Sequence, residues 1–106
     1  MEPLICELLT LYQEENSILQ MITSPADAEK ALHQIEHING KLCLLDQQFE
    51  KKEQAGIYFE EQLELLGLHD QWYSLVEKRD TLIQKLHTKH LMTGDLERCL
   101  ARLPKK

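Results

Sequence analysis

Leucine, isoleucine and aromatic residues recur along this chain at alternating steps of three and four, the spacing that gathers them on one face of an α-helix. Between Leu4 and Ile22 two such rows run side by side: Leu4, Leu8, Leu11, Glu15, Ile18 and Ile22 beside Ile5, Leu9, Tyr12, Asn16 and Leu19. They predict a helix with a broad apolar face, interrupted by Glu15 and Asn16. Ser24-Pro25-Ala26-Asp27 then reads as a helix start, with a capping serine, a proline at the first helical position and an acid at the positive end of the dipole.

From Ala31 the row is stricter: Ala31, Ile35, Ile38, Leu42, Leu45, Phe49, Lys52, Gly56, Phe59, Leu63 and Leu66. The phase passes through Asn39-Gly40 and through Gly56 without a slip, so the spacing predicts one helix here, not a strand at Gly56-Ile57-Tyr58-Phe59. Gly67 in a left-handed conformation, with Leu68 folded back on Leu63, would end it in a Schellman-type cap. After a cap at Asp70, a third row of Trp72, Leu75, Val76, Arg79, Leu82, Ile83 and Leu86 continues as Lys89, Thr93, Leu96, Leu100 and Leu103 until Pro104.

The expected fold is therefore all-α, one domain spanning 1–106 with helices over about 3–22, 25–66 and 70–103. Short turns make the three helices antiparallel. The result is an elongated helical hairpin, its central helix roughly 60 Å long, with the shorter N-terminal helix packed on one end. At the other end only two helices would be left to bury the aromatic residues. Part of this surface is expected to be exposed or closed by a second copy of the chain, and Phe59, Tyr58, Trp72 and Tyr73 are thus the candidate self-association residues. The segment from Leu91 to Leu103 is a short amphipathic piece that either docks on the early part of the second helix or leaves it to grip a partner.

Composition narrows the function classes. Four glycines and three prolines in 106 residues permit few turns, and 42% hydrophobic with 28% charged residues argues against disorder. No long uncharged apolar run is present, which excludes insertion of a transmembrane helix, and Glu7 interrupts the apolar N-terminal segment, unlike a signal peptide. A cytoplasmic location is expected. Cys6, Cys43 and Cys99 are an odd count without paired spacing, so neither a disulfide framework nor a zinc knuckle follows. The net charge of −6 disfavours nucleic acid, but its distribution is uneven: four basic and fifteen acidic residues up to Glu77, eight basic and three acidic after it. Either the acidic segment folds back on the basic one, or the molecule offers each partner one sign of charge.

Candidate chemistry is sparse. His33-Gln34-Ile35-Glu36-His37 fits H-x-x-E-H, a zinc-protease pattern, but Ile35 belongs to the core row and leaves the histidines on its flanks, as on any surface helix. His87 and His90 read the same way. No glycine-rich phosphate loop is present, and a thin helical hairpin offers little pocket for a nucleophile and its base. The expectation is a protein that is not an enzyme, with no catalytic residues, no metal and no cofactor. What a simple core does not require is the polar interruption of each row: Glu15 and Asn16, Lys52 and Gly56, Lys89 and Thr93. Such layers set register in coiled coils or keep a groove open for an incoming helix.

Four stretches carry a family resemblance. They are Leu8-Leu-Thr-Leu-Tyr-Gln-Glu-Glu-Asn-Ser-Ile-Leu19, Asn39-Gly-Lys-Leu-Cys-Leu-Leu-Asp-Gln-Gln-Phe-Glu50, Leu65-Leu-Gly-Leu-His-Asp-Gln-Trp-Tyr-Ser-Leu75 and Thr93-Gly-Asp-Leu-Glu-Arg-Cys-Leu100. In pattern the chain resembles the FlgN-type family, cytosolic chaperones of flagellar hook-filament junction proteins. The resemblance implies an all-helical protein that keeps the helical C-terminal segment of a type III export substrate soluble and brings it to the export apparatus. It further implies that the last helix binds the substrate, which here means Leu91, Met92, Leu96, Leu100 and Leu103. The alternative, from a different class, is a structural coiled-coil subunit or dimerising adaptor without a client.

Overall fold

The computed structural model describes residues 2–101, and within them every regular element is helical. Five helices follow in order: α1 (Glu2–Gln20), α2 (Pro25–Gln54), α3 (Phe59–Leu66), α4 (His69–Thr88) and α5 (Gly94–Leu100). The all-α class is as expected, but two of the expected helices are each divided. The segment expected as one helix over 25–66 is α2 and α3. The one expected over 70–103 is α4 and α5, with its last residues outside those described. The long axis accordingly measures 44 Å, about the length of α2 alone.

Both divisions have the same local cause. At the end of α2 the Gly56 amide donates to the Glu53 carbonyl and the Ile57 amide to the Lys52 carbonyl, each at 2.9 Å, and Gly56 has φ +85°. At the end of α4 the His90 amide donates to the His87 carbonyl at 3.1 Å and the Leu91 amide to the Leu86 carbonyl at 2.9 Å, with His90 at φ +57°. These are the paired bonds of a Schellman stop. Gly67 forms a third, where its own amide meets the Glu64 carbonyl and the Leu68 amide meets the Leu63 carbonyl, as the sequence predicts.

The break at Gly56 also changes which helices are neighbours. Instead of returning along α2, α4 packs on α1, so that α1 lies against both α2 and α4 while α5 rests on α2. The core then divides in two. One cluster joins Ile5, Leu8 and Tyr12 of α1 to Leu42, Leu45 and Phe49 of α2, Phe59 and Leu63 of α3 and Trp72 of α4. The second joins Leu19 and Ile22 to Ala28, Ala31, Ile35 and Leu86, and is closed by Leu91, Leu96 and Leu100.

The start of α2 is fixed by reciprocal capping. Ser24 Oγ accepts from the Asp27 amide at 3.2 Å, while Asp27 Oδ2 accepts from the Thr23 hydroxyl at 2.8 Å and the Thr23 amide at 3.2 Å. The Thr23 hydroxyl first, and then its amide, hold the Asp27 carboxyl below its ordinary value. A carboxyl depressed on folding stabilises above its unfolded pKa of about 4 and loses that contribution as pH falls through the lower folded value. Asp27→Asn is therefore expected to lose part of the stability difference between pH 6 and pH 3, read as the gap between paired urea melts of the two proteins.

Candidate partner-binding surfaces

Between the two apolar clusters lies a buried polar layer. Arg79 is 3% exposed and Glu15 fully buried, and Arg79 Nε donates to Glu15 Oε1 at 2.6 Å. Arg79 Nη2 donates to the Leu100 carbonyl at 2.7 Å, and the guanidinium carbon stands 5.9 Å from the centre of the Tyr12 ring. Asn16, beside Glu15 on α1, donates from Nδ2 to the Leu75 carbonyl at 3.1 Å, and its Oδ1 is buried with no hydrogen-bond partner. The first polar interruption of the rows is thus a register lock: a one-turn slip of α4 along α1 would strand a buried carboxylate and a buried guanidinium. The other two interruptions, at Lys52-Gly56 and Lys89-Thr93, coincide with the helix ends.

The residues expected to grip a partner are brought together, but they face inward. Leu96 is fully buried, Leu91 and Leu100 are buried, and Met92 is half-buried, all in the cluster built on the first turns of α2. Leu103 lies outside the described residues. Thr93 caps α5 by accepting from the Leu96 amide at 3.1 Å, and the Arg79 bond to Leu100 holds the other end. Docking on the early part of α2 is the arrangement observed.

The aromatic residues expected at a thin tip divide instead into two sets. Phe59 and Trp72 are buried: Trp72 stacks on Tyr12 at 5.1 Å, Phe59 meets Trp72 edge-on at 5.3 Å, and Phe49 meets Phe59 at 5.2 Å. The expectation of partial exposure fails for these two because α1 reaches that end of the molecule and supplies Tyr12 as a third wall. Tyr58 and Tyr73 remain on the surface at 52% and 45% exposure, Tyr73 meeting the ring of His69 edge-on.

A sizeable concavity lies elsewhere. It is an open groove of about 690 Å³ between α1 and α2, with Ile18 and Ile38 below and Gln13, Ser17, His33 and His37 along its rims. A second hollow of about 220 Å³ shares Ile18 and Gln34 with it and extends it past Met21 towards the α1–α2 turn. Met21, which lines the second hollow, is 76% exposed, and Leu44, 60% exposed, stands two helical turns beyond His37 on the same face of α2. The H-x-x-E-H histidines are rim residues of this groove, and no group of three or more potential metal ligands occurs among the described residues. A sequence signal for the groove does exist. Thr10, Gln13 and Ser17 form a short polar row, at the helical spacing, beside the apolar rows of α1.

No helix among the described residues is long and apolar enough to cross a membrane. The chain matches no family model, no curated protein and no solved structure.

Proposed function

We propose that this protein is a non-enzymatic chaperone that holds an amphipathic helix of a partner in the groove between α1 and α2. The observation that carries the reading is the groove itself, open and floored by Ile18 and Ile38, with Met21 exposed along its extension. A helix laid there would cover apolar surface that no helix of the described chain covers. This is the helix-in-groove mode of recognition, in which anchors at steps of three and four supply affinity. The two helices forming the groove carry ten acidic and four basic residues, so the favoured partner helix is basic along its edges.

The resemblance to FlgN-type chaperones suggests the partner class: the helical C-terminal segment of a flagellar hook-filament junction protein or a related type III export substrate, held in the cytoplasm for the export apparatus. With Leu96 and Leu100 buried in the protein's own core, the α1–α2 groove is the better candidate for that segment than α5. The rival reading, a dimerising adaptor, has Tyr58, Tyr73 and the 78% exposed Leu65 in its favour.

Ser17→Arg separates the two. Ser17 is an exposed rim residue, so the fold should survive with stability within about 0.5 kcal/mol. Capture of a fluorescent peptide from a junction-protein C-terminus, followed by anisotropy, should weaken at least about tenfold, the loss of 1.4 kcal/mol that blocking one anchor readily produces. Binding that is unchanged in Ser17→Arg but lost in Tyr58→Ala would assign the client to the other surface.

A further inference from the structure

The helical phase of α4 does not stop where α4 stops. Leu82, Leu86, Lys89, Thr93, Leu96 and Leu100 keep steps of four and three through the break, and Lys89 to Thr93 contains neither glycine nor proline. The turn is made by His90 in the left-handed region, a conformation that disfavours a residue with a Cβ and that glycine adopts freely. The same five residues are competent to continue the helix. Gly94 and the Thr93 cap support a helix start at α5, while the unbroken phase leaves a straight α4–α5 accessible, and the bent form is retained by what α5 reaches.

What α5 reaches is a dock made largely by other elements. Its helical neighbour is α2, and its buried leucines lie with Ala28, Ala31, Ile35 and Leu86. Its C-terminal carbonyl at Leu100 takes the buried guanidinium of Arg79. A seven-residue helix is unstable without such support, so a straightened chain cannot leave Leu96 and Leu100 in water, nor Arg79 without its carbonyl. A second copy of the same chain supplies the identical dock, and exchange of one element between identical copies keeps the contacts of Leu96 and Leu100 while giving up those of the hinge, the Leu91 packing and the Thr93 cap among them.

We propose that α4 and α5 can fuse into one continuous helix, and that two copies of the chain then exchange α5, each placing Leu96 and Leu100 on the other's α2 and its Leu100 carbonyl on the other's Arg79. The dimer is thus a swapped form of the monomer, and the main groove lined by Thr10, Gln13, Ser17 and His37 lies outside the exchanged contact. Partner capture by that groove is a separate matter and can fail or hold independently.

Two substitutions at the exposed hinge test this without touching the core. His90→Gly makes the bend free and the straight helix worse, whereas His90→Ala does the reverse. Each dimer has two hinges, so the dimerisation constant, measured by light scattering over a concentration series equilibrated through partial unfolding and refolding, should fall about tenfold or more in His90→Gly and rise about tenfold or more in His90→Ala. A chain that remains monomeric in all three forms at millimolar concentration overturns the proposal. So does a dimer that responds to neither substitution, because it would be joined side by side. Exchange itself is read by mixing Leu96→Asp, whose dock is intact, with Ala28→Arg, whose α5 is intact. A heterodimer that neither variant forms with itself is the expected result, and failure to form one while both variants remain helical counts against exchange.

Discussion

Exchanging Arg79 for methionine alone is expected to lower the unfolding free energy by about 3–5 kcal/mol, because it leaves Glu15 as a buried carboxylate without its cation. A chain of this size has roughly 5–15 kcal/mol in total, so the variant should sit near its unfolding midpoint at moderate temperature. Replacing both partners, Glu15→Leu with Arg79→Met, removes the two charges together and should be closer to the parent than either single change. Urea melts of the four proteins at neutral pH form a double-mutant cycle that isolates the pair. A double variant as unstable as the sum of the singles would mean that the pair is not coupled. Part of the Arg79 effect belongs to α5, whose Leu100 carbonyl loses its donor in both variants. Protease sensitivity of the C-terminal segment should therefore rise in the double variant even where global stability recovers.

Phe59→Ala is the second large effect, with an expected cost of about 3–5 kcal/mol from lost burial and the cavity left among Phe49 and Trp72. This changes how an association assay would read. A tip residue in a dimer interface would dissociate on truncation and leave folded monomers, whereas Phe59→Ala should lose helical circular dichroism at a lower urea midpoint. Tyr58→Ala, at the neighbouring exposed position, should shift stability by no more than about 0.5 kcal/mol. Equal melts for the two variants would refute the placement of Phe59 in the core.

The rows of apolar residues made the helical class, the face of α1 and the core side of α2 readable in advance: Leu8, Ile35, Leu42, Leu45, Phe49 and Leu63 are all buried as their spacing requires. Gly67 was readable because glycine, a preceding leucine pair and a following leucine together specify one cap. Gly56 carried the same residue type but sat in phase with the core, and phase alone does not distinguish a helix that continues from one that stops and restarts after a whole number of turns. His90 gave no signal, since a left-handed stop at a residue other than glycine is uncommon and a single histidine in a helical row does not announce one.

The neighbour relation of α1 and α4 was also hidden. Chain length and short turns suggested that α4 returns along α2, and only the redirected path after Gly56 places it on α1. Glu15 and Arg79 each appeared as a polar residue in an apolar row, 64 positions apart, with nothing local to show that each is the other's partner. The α1–α2 groove followed from the same hidden relation. Once α4 lies on one side of α1, the other junction of α1 with α2 is left uncovered.

The central place of α1 also bears on the order in which the molecule can be assembled. α1 and α2 are joined by a short turn and can pair as soon as both leave the ribosome, but the surface of α1 that receives Trp72, Leu75 and Arg79 has no occupant until α4 is made. Contacts spanning some sixty residues close last and slowest. A nascent chain halted between α2 and α4 would therefore expose Tyr12 together with Glu15 before Arg79 is made. That interval, more than any state of the finished protein, is when this chain would itself be open to aggregation.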